Sequence, residues 1–150
     1  MNIIIQTVTE STLDSVLPLV AEYQQFYGAR PDMPKNRRHF GDIVRNADKG
    51  IMFIAGGAAG EGAGFATLYF PFSSVRAMAI CLMNDLYTRP EYRGKGIGRA
   101  LIQHCRQWAK AHSYPELVWN TQQSNSSAQA LYDSTGASRS AWLEYRLSTY

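Results

Sequence analysis

The stretch Arg89–Gln103, RPEYRGKGIGRALIQ, constrains this chain more tightly than any other. Gly94, Gly96 and Gly98 alternate with Lys95 and Ile97 behind a proline and two arginines, and helical spacing begins at once afterwards. Glycine is disfavoured inside an ordered helix and adjacent cations repel, so such a loop must be shaped by what it holds. The run before it, AICLMNDLYT, reads as a strand, while Ile97, Leu101, Ile102, Cys105 and Trp108 mark one face of a helix from Gly96 to about Ala111. Strand, glycine loop and helix follow one another without a linker, which puts the loop at a helix amino terminus.

The rest of the chain builds around that unit. IIIQTV is a short β-branched strand, and Ser11 and Asp14 open a helix whose face is Leu13, Val16, Leu17, Val20, Tyr23 and Tyr27, stopped by Gly28. A shorter helix follows over Lys35–Asn46 with Phe40, Ile43 and Val44 inward, and Asp48–Gly50 is a turn. IMFIA and GFATLYF are strands joined as a hairpin across GGAAGEGAG. ELVWNT is a further strand, SAQALYDSTGA a short helix ended by Gly136, and SAWLEYRL a closing strand. No repeat or linker interrupts this order, so one domain over residues 1–150 is expected, of α/β or α+β class, with a sheet packed by helices.

Composition narrows the function classes. With 15 basic and 12 acidic residues the net charge is +3, too mild to demand nucleic acid, although cations cluster at Lys35–Arg38 and Arg89–Arg99. No apolar stretch approaches the ~20 residues that cross a bilayer, and the amino terminus lacks a basic lead and a cleavage site. The two cysteines, Cys81 and Cys105, sit in apolar strand and helix patterns, which suits buried thiols in a reducing compartment. A cytoplasmic protein with no membrane and no metal site is expected.

A helix amino terminus offers unpaired N–H groups and a favourable dipole to an anion, glycine lets backbone approach it, and Arg93, Lys95 and Arg99 add charge. The ligand class is phosphate or pyrophosphate. Lys95 precedes a glycine where a P-loop needs Ser or Thr, and GxGxG stands where a dinucleotide fingerprint needs GxGxxG, so neither common phosphate loop fits.

LYTRPEYRGKGIGRALI resembles the acetyl-coenzyme A binding motif of the GNAT N-acetyltransferase superfamily: a basic residue or Gln, two residues, Gly, one residue, Gly, here Arg93, Gly96 and Gly98. A second motif of that family, Asn followed at three residues by Ala and at seven by Tyr, is matched by Asn125, Ala128 and Tyr132. Together they cover about half the chain, and NDLYTRPEYRGKGIG with the EYQQFYG helix looks most like the branch of histone and polyamine acetyltransferases. The resemblance implies a mixed, mostly antiparallel twisted sheet of six or seven strands flanked by about four helices. Two departures stand out: Thr88 where relatives carry an apolar residue, and Ala137 after Gly136 where an aromatic is usual.

The same resemblance implies direct transfer in a ternary complex from acetyl-coenzyme A to a primary amine, whether small amine, polyamine, protein lysine or amino terminus. The pyrophosphate would rest on the backbone from Arg93 through Gly94, Lys95, Gly96 and Ile97 to Gly98, beside Arg99. The pantetheine arm would pair with Leu86, Tyr87 and Thr88, and the Thr88 N–H would polarise the acetyl carbonyl. Tyr132 would protonate the departing sulfur, with Asn125 holding the cofactor arm or ordering the helix start near Ala128. An alkylamine arrives protonated, so a base is needed; Asp85 is the best-placed carboxylate and Glu144 the second choice. Tyr23, Phe26, Tyr27 and Asp32 fall where the acceptor site is walled in the family, and the family, with the edge strands such a sheet leaves near its carboxyl terminus, also suggests a homodimer. Two other classes compete: a non-catalytic acetyl-coenzyme A sensor of the same fold, and a nucleic-acid module stacking bases on Tyr69, Tyr87 and Tyr92.

Overall fold

The computed structural model describes residues 2–57 and 60–150 as two compact units, one ending at Asn120 and the other beginning at Thr121. The first holds β1 (Ile4–Thr7), α1 (Leu13–Phe26), α2 (Met33–Arg45), β2 (Gly50–Gly56), β3 (Gly62–Tyr69), the ribbon strands β4 (Phe72–Ser73) and β5 (Met78–Ala79), β6 (Cys81–Thr88), α3 (Ile97–Ala111) and β7 (Leu117–Val118). The second holds α4 (Ser126–Asp133).

Five strands form one sheet in the order β1-β2-β3-β6-β7, antiparallel except for the β6–β7 pair, and β4–β5 is a separate two-stranded sheet. The expected mixed, mostly antiparallel sheet with helices is therefore present; of the seven strands among the described residues five lie in it and two in the ribbon, and four α-helices accompany them. β2 and β3 pair as the expected hairpin, although Ala58 and Ala59 of its connection lie outside the described residues. The ribbon was not legible because each strand is two residues long, too short for an alternating pattern.

The two faces of the sheet carry different helices. Val16, Leu17, Leu19 and Val20 of α1 and Phe40 and Ile43 of α2 pack with Met52, Ile54, Phe65 and Tyr87 in one core. On the other face Phe53 meets His104 and Trp108 of α3 edge to face. Helix α1 tolerates Pro18 because most of its face is buried, so tertiary packing outweighs one lost backbone bond. A reciprocal amide pair, Gln24 with Asn36 at 2.8 Å in both directions, ties α1 to α2 where Asn36 is 5% exposed. Both cysteines are free and buried, and burial pushes the Cys81 thiol up to about 11 and Cys105 up to about 12.

One expected element fails. SAWLEYRL forms no strand: residues 137–150 have no regular structure, and Trp142, Leu143, Tyr145 and Leu147 are exposed. Alternation makes a strand only where a neighbouring backbone completes the ladder, and this segment has no such partner among the described residues. ELVWNT shortens for the same reason, with pairing restricted to Leu117 and Val118.

Candidate active site

Strand β6 carries a bulge. Thr67 of β3 pairs with Asp85 and Leu68 with Met83, so Asn84 is an extra residue on β6. A bulge of one residue changes which face the following side chains meet. Cys81 accordingly stays close enough to Cys105 of α3 to raise its pKa, whereas Tyr87 joins the core under α1 and α2. Asp85 goes with Tyr87, onto the face where Tyr23 of α1 and His39 of α2 act on it.

The result is a carboxyl group that is 6% exposed and forms no salt bridge among the described residues. Burial raises its pKa above the ordinary carboxylate value, and the hydroxyl of Thr67, the amide of Asn84 and the hydroxyl of Tyr23 only partly oppose this. Asn84 donates to its Oδ1 at 3.0 Å. The Thr67 hydroxyl is fully buried opposite it and forms no well-aligned hydrogen bond among the described residues. Tyr69, two residues along β3, has its phenol pKa raised by burial and by the Asp85 charge, and its hydroxyl lies 3.3 Å from His39 Nε2. A carboxyl prepared in this way holds its proton more firmly than a surface aspartate, which suits proton transfer near neutral pH.

The glycine loop leaves the same strand. Pro90–Tyr92 make one 3₁₀ turn, after which Gly94 at φ 73° and Gly96 at φ 86° take left-handed backbone. Gly96 is the N-cap of α3 and makes no side-chain cap hydrogen bond, so the first-turn N–H groups lack a capping partner from it. A side chain at Gly94 would meet nothing within 4 Å, and at Gly96 only Ile3 Cδ1 at 3.9 Å, so the loop borders open space. Lys95 lies over the Tyr92 ring at 5.2 Å from its centroid, and Ile97 anchors the loop at 1% exposure. Arg93 is held by Thr88, whose carbonyl accepts from its Nε at 3.1 Å.

In the second unit, Asn125 is the N-cap of α4: its Oδ1 accepts from the Ala128 N–H at 3.2 Å. Of the two roles open to Asn125, ordering the helix start is the one the local geometry displays. Tyr132 is half-buried near the carboxyl end of α4, with its carbonyl accepting from Thr135 Oγ1 at 2.6 Å. Glu144, the second-choice base, is exposed and paired with Arg146 at 3.0 Å.

The acceptor-wall residues divide. Tyr23 is half-buried against Tyr87 and Phe65 and acts on Asp85. Tyr27 is 45% exposed at the carboxyl end of α1, packed edge-on to Tyr23. Asp32 is exposed and caps α2 by accepting from the Lys35 N–H at 3.0 Å. Sequence reasoning missed Thr67, Tyr69 and His39 as neighbours of Asp85. They come from β3 and α2, elements distant in sequence from β6, and no local pattern announces them.

Residues 16–137 match the model of the Acetyltransferase (GNAT) family. An uncharacterized N-acetyltransferase of Bacillus subtilis, YhfO, is 30% identical over 122 residues, covering 81% of this chain and 80% of its own. The crystal structure of a probable acetyltransferase superposes with TM-score 0.85 at 26% identity, over 100% of this chain and 99% of that one. AAC(6')-Iy, in complex with the bisubstrate analogue CoA-S-monomethyl-acetylneamine, shares the fold with TM-score 0.81 at 19% identity, over 99% of both chains. With the glycine loop, the buried carboxyl and the strand order between them, these matches make the chain an acyltransferase enzyme, and it belongs to the GNAT acetyltransferase family.

Proposed function

We propose that residues 1–150 work as a single N-acetyltransferase domain that moves the acetyl group of acetyl-coenzyme A to a primary amine by direct attack in a ternary complex. The observation that carries this reading is the buried Asp85 carboxyl on the strand that runs into an uncapped, left-handed glycine loop. Acetyl-coenzyme A, when bound, supplies a thioester acetyl group open to attack by a neutral amine. Gly94 and Gly96 bring main-chain N–H groups to its pyrophosphate, with Arg93, Lys95, Gly98 and Arg99 in the same loop and helix start. Leu86, Tyr87 and Thr88 offer strand backbone to the pantetheine arm, and the Thr88 N–H polarises the acetyl carbonyl. Asp85 takes the proton from the incoming ammonium, directly or through water, and Tyr132 protonates the sulfur that departs.

The acceptor is a small amine, a polyamine or a protein amino group, entering past Tyr23, Tyr27 and Asp32. A cation suits a site that contains the buried Asp85 carboxyl. The bisubstrate analogue held by AAC(6')-Iy joins coenzyme A to an amine-bearing sugar, which supports an amine acceptor here. A screen of spermidine, lysine, an aminoglycoside and a lysine peptide against acetyl-coenzyme A, read as free thiol, tests the assignment. Gly96→Val should abolish coenzyme A binding and turnover, because a β-branched residue is strained at φ 86° and projects toward the ligand. A folded Gly96→Val protein with parental affinity in calorimetry would remove the loop from the cofactor site. The sensor reading predicts cofactor binding without thiol release from any amine.

We further propose that the enzyme works in the cytoplasm as a homodimer. Among the described residues no helix is long and apolar enough to cross a membrane. Leu143, Tyr145 and Leu147 alternate with Glu144 and Arg146 and are exposed, the pattern of a strand that needs a neighbour. Light scattering should give twice the chain mass, and a monomeric mass would overturn the dimer.

A further inference from the structure

Arg89 closes β6 and opens the cofactor loop, and its side chain is only 24% exposed. Its backbone N–H donates to the Ala63 carbonyl at 2.9 Å and its Nη1 to the Gly62 carbonyl at 2.8 Å, both on β3. The remaining edge of the guanidinium grips Glu22 of α1: Nη2 donates to Oε1 at 2.8 Å and Nε lies 3.1 and 3.0 Å from Oε1 and Oε2. The Tyr87 hydroxyl adds a longer contact to Glu22 Oε2 at 3.4 Å. One side chain thus joins α1, β3 and the end of β6 at the point where the strand gives way to the loop. A planar fork with several donors is suited to this in a way that an ammonium is not.

A second tie lies one helical turn along. Arg93 stands over the ring of Phe26, 5.7 Å from its centroid, while its Nε holds the Thr88 carbonyl. Glu22 and Phe26 are four apart on one face of α1, and Arg89 and Arg93 bracket the 3₁₀ turn. The same stretch of α1 carries Tyr23, which acts on Asp85 from the acceptor side. Any shift of the turn is therefore passed to the helix that lines the acceptor, and any shift of that helix to the loop.

We propose that Glu22 and Arg89 are a positioning pair that sets the acceptor-lining helix against the cofactor loop and couples occupancy of the two. The proposal rests on the acetyltransferase reading above. Coupling of this kind is reciprocal, so the pair tightens coenzyme A and acceptor together. The charge of each residue is met by the other.

The test is a double-mutant cycle in the full chain with Glu22→Gln, Arg89→Gln and both together. Coenzyme A affinity is read by calorimetry, initial rates over a grid of acetyl-coenzyme A and the fastest amine of the screen, and melting temperature as a control. Each single change should weaken coenzyme A about tenfold and raise the acceptor KM by a similar factor while kcat falls less. The double variant should be no worse than either single one, because the second change removes nothing further. Coenzyme A affinity within twofold of the parent in Arg89→Gln, or losses that add in the double variant, would overturn the pair. So would losses that merely follow melting temperature. If Arg89→Gln does not fold, Arg89→Lys keeps the charge without the fork, and parental affinity in that variant would also overturn the proposal. Calorimetry needs no turnover, so a protein that acetylates none of the amines would refute the enzyme reading while leaving the affinity cycle readable.

Discussion

Asp85→Asn is expected to lower kcat/KM for an amine acceptor by roughly 10²- to 10⁴-fold at neutral pH and, in the same protein, to raise stability. The rate loss follows from removing the group that accepts the ammonium proton. It should be partly recovered at high pH, where an alkylamine with a pKa near ~10.4 is already neutral. The gain in stability follows from linkage. Burial raises the Asp85 pKa in the folded chain above the unfolded value of 3.8. Between those two values the folded state binds more protons than the unfolded one, so stability falls as pH rises through that window and stays lower above it. An amide carries no such burden, so the variant is expected to melt higher than the parent at pH 7, by a margin that shrinks as pH approaches 4. Thermal unfolding of both proteins at pH 4 and pH 7 measures it. A parental pH–rate profile would take the base role from Asp85, and equal melting at pH 7 would mean its carboxyl is not held against a charge cost.

Tyr132→Phe is expected to keep coenzyme A affinity and lose roughly 10²-fold or more in kcat if chemistry limits the rate, because the ring still packs while the proton donor is gone. This loss should not recover at high pH, which separates it from loss of the base. Measured side by side, the two variants assign the two proton transfers. Parental turnover by Tyr132→Phe across the pH range would give the acid role to water or to another residue and leave the acetyltransferase assignment standing.

The site was legible where chemistry is local in sequence. The loop takes glycine at φ 73° and 86°, and α3 begins where the glycines end, so its backbone course and the helix start were legible from Gly94–Gly98 alone. The Asn125 cap on Ala128 was legible for the same reason, since a cap acts within one turn. The helix faces of α1 and α3 followed from their periodicity, with Leu19 and Ala109 added, Trp108 only half-buried and Tyr27 exposed.

Other features depended on distant neighbours. Alternation alone places Cys81, Met83, Asp85 and Tyr87 on one face of β6. The extra residue at Asn84 sends Asp85 and Tyr87 to the other helix layer, and only pairing with β3 reveals it. His39, Thr67 and Tyr69 became neighbours of Asp85 through that same register. Arg89, counted in the sequence with the cations of the anion loop, is instead neutralised by Glu22, 67 residues earlier. The chain by itself determined what depends on a backbone conformation or a single helical turn: the loop, the caps and the class of fold. The tertiary structure decided which carboxyl is buried, which arginine is paired and where a strand can form, because desolvation, ion pairing and ladder bonding all depend on what lies opposite.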